Sequence, residues 1–134
     1  NIKGVLYGIN AVYSHMLERG EGQIINIAST AGKRLMSGSA VYSATKFAVG
    51  AISEGLRMES AGKLQVTCIY PGAFQTELGA TIKDESMLEM LMKGNLASIA
   101  EPAERIADAI IYALKQDKGV SANEIVIRPV AQEM

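Results

Sequence analysis

Apolar residues at Val5, Leu6, Ile9, Val12, Tyr13 and Met16 recur at helical spacing and stop at Gly20-Glu21-Gly22. That pattern predicts a helix over about residues 2–19 closed by glycine. The next run, Gln23-Ile24-Ile25-Asn26-Ile27-Ala28, is short and β-branched, and Ser29-Thr30-Ala31-Gly32 follows it. It reads as a buried strand feeding a loop, with Ser29 at the strand's C-terminal end and Asn26 satisfied by neighbouring backbone groups. Ser39 is the predicted N-cap of a long helix over about 40–61, stopped by Gly62. Its apolar positions fall on two stripes, Val41, Ala44, Ala48 and Ile52 on one and Phe47, Ala51 and Met58 on the other. A helix apolar on more than one face is expected to pack against the sheet and against a second partner, a neighbouring subunit being the natural candidate.

Residues 65–70 form a second predicted strand, ended by Pro71-Gly72. The stretch 73–99 is a Met- and Leu-rich connection (Leu78, Met87, Leu88, Met90, Leu91, Met92, Leu96) expected to hold one or two short helices. Pro102, flanked by Glu101 and Glu104, opens a helix to about residue 116 with acids where the helix dipole favours them. Residues 123–128 form the last strand. Alternating helices and strands of this length predict a parallel sheet with helices on both faces, an α/β fold. Three strands are half of the about six in a doubly wound dinucleotide-binding sheet.

Composition narrows the function. The 134 residues are 49% hydrophobic, enough for one compact core. Thirteen Lys and Arg nearly balance fourteen Asp and Glu, no block of like charge occurs, and aromatics are 5%. A nucleic-acid footprint is therefore not expected, and the partner is a small molecule. Cys68 stands alone in an apolar run, so neither a disulfide framework nor metal-type spacing is present, and a cytoplasmic setting with an inert core thiol follows. No apolar stretch approaches the ~18 residues that span a bilayer. The start, Asn1-Ile2-Lys3-Gly4, has no basic signal region and no initiator Met, so the chain is expected to begin within a longer protein. His15 lies away from the polar groups discussed next and is given no role.

Tyr42-Ser43-Ala44-Thr45-Lys46 sets a phenol and an ammonium four residues apart on one helix face, with Ser29 thirteen residues before the tyrosine. Reducing a carbonyl by hydride transfer requires a proton donor for the nascent alkoxide. A phenol of ordinary pKa about 10 is a poor match to neutral pH, and a fixed cation one turn away favours its ionised form. A serine hydroxyl can hold the substrate oxygen against the phenol.

Tyr-x-x-x-Lys, a serine thirteen residues earlier, and Pro71-Gly72-Ala73-Phe74-Gln75-Thr76 after the next strand together resemble the short-chain dehydrogenase/reductase family along essentially the whole chain. The resemblance implies the C-terminal half of a single Rossmann domain, with three strands and flanking helices. It implies catalysis by Asn1, Ser29, Tyr42 and Lys46, Asn1 helping to hold a water in the proton relay to the lysine. It further implies that Tyr42 and Lys46 bond the nicotinamide ribose, that the backbone of Pro71, Gly72 and Phe74 lines the nicotinamide, and that Thr76 contacts its carboxamide region. Thr76 can also cap the turn that follows it. The cofactor implied is NADP, or NAD, with no metal.

The tail Asn123-Glu124-Ile125-Val126-Ile127-Arg128-Pro129 resembles the NADP-dependent 3-hydroxy-acid (serine-type) dehydrogenases. The implied substrate is a small secondary alcohol or its carbonyl. The Met- and Leu-rich stretch stands where this family keeps a substrate lid, and similar proteins pair their two long helices into homodimers and homotetramers. Nothing in these residues resembles the family's glycine-rich Thr-Gly-x-x-x-Gly-x-Gly loop, which binds pyrophosphate at a helix N-terminus. The 134 residues alone are accordingly expected neither to fold cooperatively nor to turn over. The competing readings are a non-turnover dinucleotide sensor or scaffold on the same fold, and an isomerase or epimerase using the same Tyr-Lys pair.

Overall fold

A computed structural model describes residues 1–35, 37–86, 88–89 and 96–133. The first helix, α1 (Ile2–Arg19), ends where Gly20 turns left-handed at φ 71° and the Gly20 and Glu21 amides donate to the carbonyls of Leu17 and Met16. Strand β1 (Gln23–Ile27) leads into a 3-10 turn, Thr30–Gly32, and then α2 (Ala40–Glu59). Ala61 and Gly62, both at positive φ, reverse the chain into β2 (Gln65–Pro71). A short β3 (Phe74–Gln75), a 3-10 turn at Glu77–Thr81, β4 (Glu101–Pro102), α3 (Glu104–Leu114) and β5 (Glu124–Ile127) complete the described chain.

The main sheet has the order β1-β2-β5, all parallel, with Ile27 opposite Ile69 and Pro71 opposite Ile127. Alternation along β2 sends Val66, Cys68 and Tyr70 to one face and Gln65, Thr67 and Ile69 to the other. The first face packs on the long helices. Ile24, Leu56, Leu64 and Val66 form one buried cluster with Ile9, Tyr13, Met16 and Leu17 of α1, and Ala28, Val49, Cys68 and Tyr70 form a second with Val5. Each fully buried aliphatic side chain here contributes about 1.5–3 kcal/mol. On the opposite face the Gln23 and Gln65 side chains donate to the carbonyls of Leu114 and Gln116 at the end of α3. The strands thus step in one direction while α2 and α3 cover opposite faces. The two crossovers therefore have opposite hands, and one departs from the usual right-handed connection.

Several expectations are corrected. The two apolar stripes of α2 do not supply its buried face: Val41, Ala44, Phe47, Ala51 and Met58 are exposed, Ala48 and Ile52 are half-buried, and the buried positions are Ser43, Val49, Ser53 and Leu56. Close helix-to-sheet approach selects small residues here, since an added Cβ at Gly50 would come within 2.6 Å of the Tyr70 hydroxyl. Asn26 is satisfied by a side chain, donating to Ser53 Oγ at 2.9 Å while Ser53 donates to the Val49 carbonyl. Ser39 precedes α2 as expected, but its hydroxyl meets Ser43 Oγ at 3.1 Å instead of capping the backbone. Pro102 lies before α3, pairing with Gln75. Of the connection at 73–99, Glu77–Thr81 is a 3-10 turn, whereas Met87, Met90, Leu91 and Met92 lie outside the described residues.

Candidate active site

Parallel strands deliver their C-terminal ends to one edge of the sheet, where ligands bind in folds of this type. Ser29 follows β1 and Pro71 closes β2 at that edge, tied together by the Ala28 amide donating to the Ile69 carbonyl at 2.7 Å. Ser29 Oγ accepts the Ala31 amide at 3.1 Å, which folds the 3-10 turn directly behind it. That turn packs closely on α2. A Cβ on Gly32 would lie 2.7 Å from the Lys46 carbonyl oxygen and 2.9 Å from its carbon, so only glycine permits the approach. Gly32→Ala should lower the melting temperature by several degrees, on the scale of about 1–3 kcal/mol for overpacking against atoms that cannot rotate away. A thermal melt coincident with wild type would contradict this packing.

On α2, Lys46 stands one turn beyond Tyr42. Its half-buried ammonium donates to the carbonyl of Ile27, the last residue of β1, at 3.0 Å and lies 5.8 Å from the centroid of the Tyr42 ring. Desolvation lowers the lysine's pKa below its ordinary value, with a smaller opposing influence from Cys68. Asn1 joins the group through α1: its Nδ2 donates to Thr45 Oγ1 at 3.0 Å, and Thr45 Oγ1 donates to the Tyr42 carbonyl at 2.7 Å. Asn1 is thereby tied to the Tyr42 backbone, and the Ser29 turn rests on the Lys46 backbone through Gly32.

A second phenol reaches this edge. Tyr70 is buried and donates to Glu124 Oε1 at 3.0 Å, while Lys33 lies 4.2 Å above its ring and bonds both Glu124 oxygens at 2.6 and 2.7 Å. Burial, reinforced by Cys68 and Glu124, pushes the Tyr70 phenol well above its ordinary pKa, and the Lys33 hydrogen bond holds Glu124 below the usual carboxylate value. Tyr70 is thus held as a neutral donor to Glu124, and the Lys33 cation over its ring is shared with that carboxylate.

Past Pro71, the Gly72 amide donates to the Ile127 carbonyl at 2.8 Å and the Ala73 amide to Gln132 Oε1 at 2.8 Å. Phe74 pairs with Glu101, and the exposed Thr76 caps its 3-10 turn by accepting the Leu78 amide at 3.4 Å. Gly32, Thr45, Lys33 and Gln132 were not singled out from sequence, because each acts through a partner distant along the chain.

The family model described as short chain dehydrogenase matches residues 1–87, a span containing Asn1, Ser29, Tyr42, Lys46, Pro71, Gly72, Phe74 and Thr76. The chain belongs to that family. An uncharacterized oxidoreductase of Staphylococcus saprophyticus is 45% identical over 137 residues, covering 100% of this chain and 55% of that protein. The closed form of a serine dehydrogenase complexed with NADP+ superposes with a TM-score of 0.87 at 34% identity, over 98% of this chain and 54% of that one. The serine dehydrogenase from Escherichia coli gives 0.79 at 31% identity, over 98% and 51%. The chain thus spans about half the length of the relatives it matches. Among the described residues no helix is long and apolar enough to cross a membrane, and no group of His, Cys, Asp and Glu is placed to hold a metal.

Proposed function

We propose that this chain is the C-terminal, catalytic half of a single dinucleotide-binding domain and serves an oxidoreductase that moves a hydride between NADP(H) and a small secondary alcohol or its carbonyl, with 3-hydroxy acids as the substrate class. The observation that carries the reading is the Lys46 ammonium, fixed between the Ile27 carbonyl and the Tyr42 ring at the ligand-binding edge of the sheet. An ammonium has three donors, and the Ile27 carbonyl takes one, leaving others for the two hydroxyls of a ribose. The 71–74 backbone, at the same edge, suits a flat ring, and Thr76 stands just beyond it.

The nicotinamide, when bound, supplies or accepts the hydride. The chain's own residues handle the proton and the geometry. Tyr42 gives its phenolic proton to the substrate oxygen in reduction and withdraws it in oxidation. Lys46 stabilises the phenolate left behind. Ser29, its orientation fixed by the Ala31 amide, donates to the substrate oxygen and aligns it with Tyr42. Asn1 holds the Thr45 hydroxyl at the base of this group and steadies a water relaying protons to Lys46.

The NADP-bound serine dehydrogenase, at 34% identity, supports the choice of cofactor, and the tail resemblance supports the substrate class. The exposed Leu6, Tyr7 and Val12 of α1 and Val41, Phe47 and Met58 of α2 support self-association into a homodimer or homotetramer. Steady-state oxidation of a panel of small 3-hydroxy acids and other secondary alcohols, with NADP+ and NAD+ in parallel, tests the assignment on the full-length protein. Turnover of 3-hydroxy acids with NADP+ is expected. Turnover confined to other alcohols would remove the acid assignment, and none with either cofactor would refute the oxidoreductase reading.

A further inference from the structure

The β2–β5 ladder ends with Pro71 opposite Ile127, and its last bond is the Gly72 amide donating to the Ile127 carbonyl. One residue later the Ala73 amide has no strand left to bond. A shielded backbone donor without a partner is costly, so something must replace the strand. The replacement comes from beyond β5. The Gln132 amide donates to the Pro129 carbonyl at 3.0 Å, closing a turn that sends the chain back toward the sheet edge, and the half-buried Gln132 side chain accepts the Ala73 amide at 2.8 Å. Gln132 Oε1 occupies the space that a Cβ on residue 72 would fill, so Gly72 and Gln132 fit as a pair. The Ala73 carbonyl is held from the other side by the Glu101 amide at 3.3 Å. Both polar groups of Ala73 are therefore fixed by residues remote in sequence, at the centre of the segment 71–74.

We propose that Gln132 is a positioning residue for cofactor binding: by accepting the Ala73 amide it holds the 71–74 backbone in the conformation that lines the nicotinamide. This rests on the reading that the nicotinamide lies against that segment. Gln132 acts through that backbone, by its bond to the Ala73 amide. What it supplies is an acceptor of the right length, a role that bulk alone at this position does not fulfil.

NADPH fluorescence titration and steady-state kinetics on the full-length protein test this with two variants. Gln132→Met keeps the side chain's length and removes the acceptor; Gln132→Glu keeps the acceptor. The Met variant should bind NADPH about five- to tenfold more weakly, the scale of one lost hydrogen bond. Its kcat at saturating cofactor should stay near wild type, a split that general destabilisation does not produce. The Glu variant should retain NADPH affinity within about threefold, since its carboxylate still accepts the amide. Wild-type NADPH affinity in Gln132→Met, or equal losses in both variants, would overturn the proposal. Absence of saturable NADPH binding in the wild type would instead overturn the cofactor reading beneath it, and this inference with it.

Discussion

Tyr42→Phe should lower kcat by about 10²- to 10⁴-fold, the usual contribution of a positioned general acid or base, while NADPH affinity stays within a few fold. The substitution removes one oxygen from a half-buried ring on α2 and leaves the rest of the helix face intact. Lys46 keeps its bond to the Ile27 carbonyl, and Ser29 keeps its turn. On this reading the proton's source and one bond to the ribose are lost, so the main effect belongs in kcat, with a change of no more than a few fold in NADPH affinity and none in folding. Stopped-flow measurement of the hydride step, with circular dichroism as the folding control, checks it. Saturable NADPH binding in both proteins with no difference in rate would favour the competing view of a dinucleotide sensor.

Removing the cation has the second-largest effect. The ammonium stands 5.8 Å from the Tyr42 ring centroid, near enough to favour charge that develops on the phenol during the reaction. Removing one such electrostatic aid costs on the order of 100-fold in rate. Lys46→Met keeps the apolar stem and discards the charge, so kcat should fall about 100-fold. Unlike Tyr42→Phe it should also weaken NADPH binding, because the donors offered to the ribose go with the charge. The Ile27 carbonyl loses its partner as well, at a cost of about 1 kcal/mol, and a modestly lower melting temperature should accompany the kinetic loss. Wild-type cofactor affinity in this variant would show that Lys46 does not hold the ribose.

The elements with strong periodicity were legible in the chain itself. Val5, Ile9, Tyr13 and Met16 mark the face of α1 that meets the core, and Gly20 closes the helix in the left-handed conformation expected of it. The strands at Gln23–Ile27 and Gln65–Pro71 follow their β-branched runs closely. The sheet face of α2 was not legible, because beside Val49 and Leu56 it is built from Ser43, Gly50 and Ser53, whose small or polar side chains break the apolar pattern. What buries them is the neighbouring sheet. The candidate site divides the same way. Tyr42 and Lys46 are one helical turn apart and visible as a pair, whereas Gly32 against Lys46, Asn1 against Thr45 and Ala73 against Gln132 are contacts across 14, 44 and 59 positions. Such contacts arise only when the strands come into register.

Hydride transfer beside Tyr42 is tested most directly with NADPH carrying deuterium at C4 of the nicotinamide, in each of its two configurations, and the carbonyl form of the best substrate. Proton and deuterium NMR of the alcohol product then reads where the label goes. Deuterium from one configuration, and not the other, should appear on the carbinol carbon in the full-length wild-type protein, at a rate collapsed by Tyr42→Phe. Alcohol product bearing only protium at that carbon from both labelled cofactors would contradict the mechanism.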